Sequence, residues 1–78
     1  MMTEFKHRIS AIYIFRNGMV MVFDQYGQQM PSFQGRKNEA MPKIKARLSR
    51  QKGKVEWKVQ EGADFIVPDF LKERIIPI

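Results

Sequence analysis

From Ile9 onward the apolar positions fall into two dense runs, Ile9-Ser-Ala-Ile-Tyr-Ile-Phe15 and Met19-Val-Met-Val-Phe23, separated by Arg16-Asn17-Gly18. Their β-branched and aromatic content predicts strands. Asn-Gly between two such runs predicts a hairpin, because both residues accept the positive φ that a tight turn demands. Loop length then decides which side chains share a face. A two-residue Asn17-Gly18 loop pairs Arg16 with Met19 and groups Ile12, Ile14, Met21 and Phe23. A three-residue loop ending at Gly18 pairs Phe15 with Met19. That register separates a β-branched face (Ile12, Ile14, Val20, Val22) from an aromatic and methionine face (Tyr13, Phe15, Met19, Met21, Phe23). The second arrangement is preferred because its two faces are chemically uniform. In either register neither face of the hairpin is polar.

Asp24-Gln25-Tyr26-Gly27 has the residue order of a second turn, and Gln28 to Phe33 makes a weaker third strand. Pro31 cannot donate to a ladder, which sends that strand to a sheet edge or to a bulge. Residues 34–38 read as a loop. A helix is expected to start between Asn38 and Pro42, with Pro42 in its first turn, and to run to about Gln51, with Gly53 as its stop. Met41, Ile44 and Leu48 with Ala40 form its apolar stripe, while Lys43, Arg47 and Arg50 fall on another face at i, i+4, i+7 and Lys45 flanks the stripe.

Lys54 to Gln60 alternates strictly: Val55, Trp57 and Val59 point one way, and Lys54, Glu56, Lys58 and Gln60 the other. This is the pattern of a half-buried strand. Pro68-Asp69 opens a helical turn through about Arg74, and the apolar end Ile75-Ile-Pro-Ile78 calls for cover, from its own domain or by strand addition to a neighbour.

The predicted class is α+β: a three-stranded antiparallel meander, one basic amphipathic helix, a fourth strand and a short C-terminal helical turn. The helical crossover returns the fourth strand beside the first. One small domain over residues 9–78 follows a lead-in, 1–8, that is expected to fray. One helix cannot cover both apolar faces of the hairpin, so the terminal segment or a second molecule must take the other.

Composition narrows the chemistry. At 78 residues, 44% of them hydrophobic, the chain holds one thin core. No cysteine is present to staple it with disulfides or thiolate metal sites. No apolar run approaches the roughly 18 residues of a membrane span, and the amino terminus lacks the layout of a secretion signal, so the expected compartment is the cytoplasm. The single histidine, His7, lies in the lead-in, and Ser10, Ser32 and Ser49 have no base nearby in sequence. Neither a nucleophile-and-base pair nor a metal-ligand spacing emerges. A non-enzyme without cofactor, metal, membrane or small-molecule substrate is therefore expected.

The formal charge of +6 is local. Between Arg36 and Lys58 stand nine basic residues against two acids, Glu39 and Glu56, a net of +7, and the remainder is close to neutral. Exposed helix faces are often charged for solubility alone, but acids usually balance them. A row made of Arg36, Lys37, Lys43, Arg47, Arg50, Lys52 and Lys54 suits the phosphates of DNA or RNA. Binding by a sheet laid in a groove calls for Arg-bearing strands, and the first two have none in their interiors, which favours the helix. The leading expectation is a small accessory or regulatory nucleic-acid-binding protein. Base stacking on the aromatic hairpin face is weighed against Met19 and Met21, which suit a buried or dimer face better. The alternative is thus a protein-interaction module or homodimer that works through Tyr13, Phe15, Met19, Met21 and Phe23, with the charge serving solubility or an acidic partner. Trp57 reads as core, with an interface anchor as its minor reading.

Overall fold

The computed structural model describes residues 6–65 and 75–77 of the chain. Strands β1 (Ile9–Ile14) and β2 (Met19–Asp24) form the hairpin. Phe15 N–H donates to the Met19 carbonyl and Gly18 N–H to the Phe15 carbonyl, so the loop is the three-residue Arg16-Asn17-Gly18. The register Ile12↔Val22, Tyr13↔Met21 and Ile14↔Val20 follows from it. The β-branched and aromatic faces are therefore separated as the preferred register requires. The β-branched face is the buried one: Ile12, Ile14, Val20 and Val22 are at most 1% exposed.

Strict alternation fails at one place. Between Ile9 and Ala11 the register with β2 shifts, and this extra residue turns Ile9 to the core side, where it is fully buried. Unbulged, Ile9 would share the outer face with Ala11 and Tyr13.

The expected third strand over residues 28–33 is not formed. The chain makes one isolated bridge, Phe23↔Gln29, flanked by two backbone hydrogen bonds, Met30 N–H to the Val22 carbonyl and Asp24 N–H to the Gln28 carbonyl, each at 2.8 Å. It then winds into a 3-10 helix over Pro31–Phe33. Pro31 explains the difference: it would break a ladder, but it stands at the start of the 3-10 turn, where its missing N–H costs nothing. The strand that does pair with β2 is β3 (Gly35–Arg36), two residues long, within the segment expected to be a loop.

Helix α1 (Lys37–Leu48) begins directly after β3. Its first N–H, from Lys37, donates to the Gly18 carbonyl of the hairpin turn at 2.8 Å, which replaces a side-chain cap. Pro42 consequently lies inside the helix rather than in its first turn. It deprives Asn38 of its i+4 partner, and exposed Asn38 leaves that carbonyl accessible to water. The apolar stripe is as expected: Ala40 and Ile44 are buried, and Met41 and Leu48 pack against the core.

After the crossover, β4 (Glu56–Val59) lies beside β1 in parallel register, Ile12↔Trp57 and Ile14↔Val59. The position is the expected one, but the all-antiparallel meander is not: the sheet is mixed, ordered β3-β2-β1-β4, and β5 (Ile75–Pro77) extends it in parallel beyond β4. The helical turn expected from Pro68 to Arg74 lies outside the described residues. Trp57, 1% exposed, stacks on Phe65 at 5.5 Å and closes the core on the β4 side.

Four glutamines complete the strand ends. Gln51 accepts from Ile9 N–H at 2.9 Å and donates to the Ile9 carbonyl at 2.7 Å. Gln34 accepts from Val22 N–H at 3.0 Å, Gln60 from Arg16 N–H at 3.0 Å, and Gln25 from Arg8 N–H at 2.9 Å. Each amide stands in for a missing neighbouring strand.

Candidate nucleic-acid interface

The seven cations singled out in the sequence divide into two groups. Lys43, Arg50, Lys52 and Lys54 are exposed on α1 and on the loop after it, and Arg36 is exposed at the other end of the helix. None of these five has a carboxylate partner among the described residues; the one ion pair there is His7–Asp24. At about 1.5 Å per residue the helix separates Arg36 from the distal group by roughly 18 Å, about five phosphate steps along a duplex strand.

Lys37 and Arg47 serve the fold instead. The Lys37 ammonium donates to the Asp64 carbonyl and ties the helix start to the segment after β4. Arg47, half-buried, lies 4.8 Å over the Phe33 ring and donates from Nη1 to the His7 carbonyl at 3.0 Å. Burial, with the Arg50 charge adding to it, lowers its pKa from the usual guanidinium value, and it remains charged at any physiological pH. The i, i+4, i+7 row is therefore interrupted at its middle member. Helical periodicity places Arg47 on the outer face; the aromatic Phe33, brought in by the 3-10 turn, draws it down.

The acids of the segment separate as well. Glu39 stays with the helix, in its first turn, whereas Glu56 lies in register with Ala11 on the far side of the sheet. Lys58, in register with Tyr13, is beside it.

Beside Arg47 a shallow cleft is lined by Lys6, His7, Asp24, Ser32 and Phe33, among others. No feature of the sequence joins His7 to Asp24, 17 positions apart, yet the His7 ring bonds the Asp24 carboxylate through Nδ1 at 2.8 Å. The backbone of the lead-in is bonded too: the Lys6 carbonyl accepts from Gln25 Nε2. Asp24, 4% exposed, takes Tyr26 N–H and Gln28 N–H on its other oxygen at 2.9 Å each. Burial pushes its pKa up, but the Gln28 bond, the His7 ring and the Tyr26 bond together outweigh that and hold it below the ordinary carboxylate value. Ser32 shares the cleft, yet no hydrogen bond joins it to His7 among the described residues. No group of three His, Cys, Asp or Glu side chains suited to a metal ion occurs among them either.

The aromatic and methionine residues occupy the sheet face opposite the core. Tyr13 meets Phe23 edge to face at 5.2 Å and lies near-parallel to Phe15 at 6.3 Å. The Lys58 ammonium bonds the Tyr13 hydroxyl at 2.9 Å and sits 4.9 Å from the ring centroid. That hydrogen bond raises the Lys58 pKa, against the effect of burial and with help from the Tyr13 and Glu56 charges. Met19, 39% exposed, forms the rim next to Arg36.

No helix among the described residues is long and apolar enough to cross a membrane. No protein-family model, curated protein or solved structure matches the chain.

Proposed function

We propose that this is a non-enzymatic nucleic-acid-binding protein that contacts phosphates through Arg36, Lys43, Arg50, Lys52 and Lys54. Lys37 and Arg47 brace the surface rather than touch the ligand. The observation that carries the reading is the surplus of exposed cations on the helix and the loop after it, Lys43, Arg50, Lys52 and Lys54 against Glu39 alone, with Arg36 exposed at the helix start and Glu56 on the aromatic face of the sheet. A face meant only for solubility does not need one sign of charge in excess, whereas a phosphate-tracking face gains from it.

Fluorescence anisotropy with duplex and single-stranded oligonucleotides across a salt series tests it. Five engaged cations give a slope of log K against log salt near −4.5 on duplex and about −3.5 on single strands. The duplex value corresponds to roughly a 500-fold loss between ~50 and ~200 mM salt. The triple change Arg50→Glu, Lys52→Glu, Lys54→Glu abolishes binding, while Arg16→Glu, at the exposed hairpin turn, leaves it nearly intact. Absence of affinity at ~50 mM salt, or equal losses from the two variants, rules the reading out.

A further inference from the structure

Given the nucleic-acid reading, on which this rests, we infer that the cleft beside Arg47 is a nucleotide subsite. It takes one unpaired base of a single strand whose neighbouring phosphates lie on the cationic flank of α1. The cleft holds about 430 Å³ between the lead-in, the 3-10 turn and α1, within the range of small-ligand pockets and roomy enough for one nucleotide. Its lining has the two characters that a nucleotide needs. Met30 and Phe33 are apolar, whereas Lys6, Gln28 and Ser32 bring an ammonium, an amide and a hydroxyl that have no hydrogen-bond partner among the described residues. The Asp24 carboxylate is already taken up by the His7 ring and by the N–H groups of Tyr26 and Gln28. Lys6 and Arg47 therefore leave the cleft with a positive charge. Arg47, held over Phe33 and to the His7 carbonyl, contributes that charge from the wall without a phosphate contact of its own.

The cleft also joins two features that one strand can use together. On its helix side Lys43 and Arg50 stand a turn before and a turn after Arg47, about 6 and 4.5 Å along the axis. On its other side the His7 ring meets Tyr26 edge to face at 6.0 Å. Tyr26 is 68% exposed and takes no part in the core. An exposed ring one contact beyond a polar, cationic cleft suits the stacking of a further unpaired base. A duplex can use neither the cleft nor the ring, because its bases are paired and stacked and extracting one is costly.

Fluorescence anisotropy at ~50 mM salt tests the subsite with three ligands of equal length: a single strand of mixed sequence, a strand of abasic residues that keeps the phosphates and lacks the bases, and a duplex. The mixed strand is expected to bind about tenfold more tightly than the abasic one. Tyr26→Ala and Ser32→Leu, the second of which fills the cleft, both replace exposed side chains. Each is expected to lower affinity for the mixed strand about tenfold and to leave affinity for the duplex unchanged. Should either variant not fold, amide shifts of Gln28, Gln29 and Ser32 in the wild type replace it, moving with the mixed strand and not with the abasic one. Equal affinity for the mixed and abasic strands overturns the subsite and leaves phosphate contact standing, as do folded variants that bind the mixed strand like wild type. Competition by free nucleoside monophosphates at micromolar concentration also overturns it, assigning the cleft to a free nucleotide. No affinity for any of the three ligands overturns the phosphate reading and the subsite with it.

Discussion

Replacing Gln51 with alanine removes both bonds its amide makes to the backbone of Ile9. The strand β4 reaches back only as far as Glu56, opposite Ala11, so without the amide the N–H and carbonyl of Ile9 have no strand partner on that side. Ile9 itself is fully buried, at the bulge that directs it into the core. A net hydrogen bond contributes about 1 kcal/mol, and an orphaned buried donor or acceptor costs about 1–3 kcal/mol. Partial access of water to this strand end brings the sum to about 2–3 kcal/mol. For a domain of this size total stability is about 4–12 kcal/mol, and the loss lowers the melting temperature by roughly 10–20 °C. Urea unfolding followed by the fluorescence of Trp57 measures it, with Gln28→Ala, at an exposed position, as the control expected to stay within about 0.5 kcal/mol. Gln51→Glu adds a signed check. Its carboxylate accepts from Ile9 N–H but repels the Ile9 carbonyl, which raises its folded-state pKa. Its deficit relative to wild type therefore shrinks as pH falls toward about 4.3 and below. A Gln51→Ala variant as stable as the control would refute the view that side-chain amides complete this sheet.

Asp24 supplies a pH dependence. Its folded pKa lies below the ordinary 3.8, so the native state binds fewer protons between the two values. The stabilisation is complete above the unfolded value and is lost as pH falls through the folded one. The urea midpoint of the wild type should therefore fall more steeply below about pH 4 than that of Asp24→Asn, and equal slopes would show that the His7 and turn bonds do not favour the ionised form. Gly53 and Gly18 offer a paired comparison. Both have positive φ, +108° and +85°, but a Cβ on Gly53 would stand 2.7 Å from Arg8 Nη1, whereas one on Gly18 meets nothing within 4 Å. Gly18→Ala is expected to cost about 1 kcal/mol from backbone strain alone and Gly53→Ala about 1 kcal/mol more; thermal melts giving equal losses would mean that Arg8 yields freely.

The hairpin, its three-residue turn and its register, the apolar stripe of the helix and the burial of Trp57 were legible in the sequence. Each follows from a period or a turn residue acting over a few positions, and a slip of one residue would expose a whole β-branched face. The tertiary structure decided what depends on distant partners. Pro31 became the start of a 3-10 turn and two residues after that turn became the edge strand, because whether Pro31 joins the ladder depends on where β2 lies. Ile9 entered the core through a bulge that no alternation announces. His7 found Asp24, and Gln51 and Gln60 found strand ends 42 and 44 positions away. The candidate interface divided in the same manner: the sequence located the cations of residues 36–58, while only the packed structure gave Lys37 and Arg47 bonds within the fold, left Arg36, Lys43, Arg50, Lys52 and Lys54 exposed, and turned Glu56 to the aromatic face of the sheet. Such pairings have no local signature. They are selected when chain closure leaves particular backbone groups and charges without a partner, and the nearest side chain able to satisfy them does so.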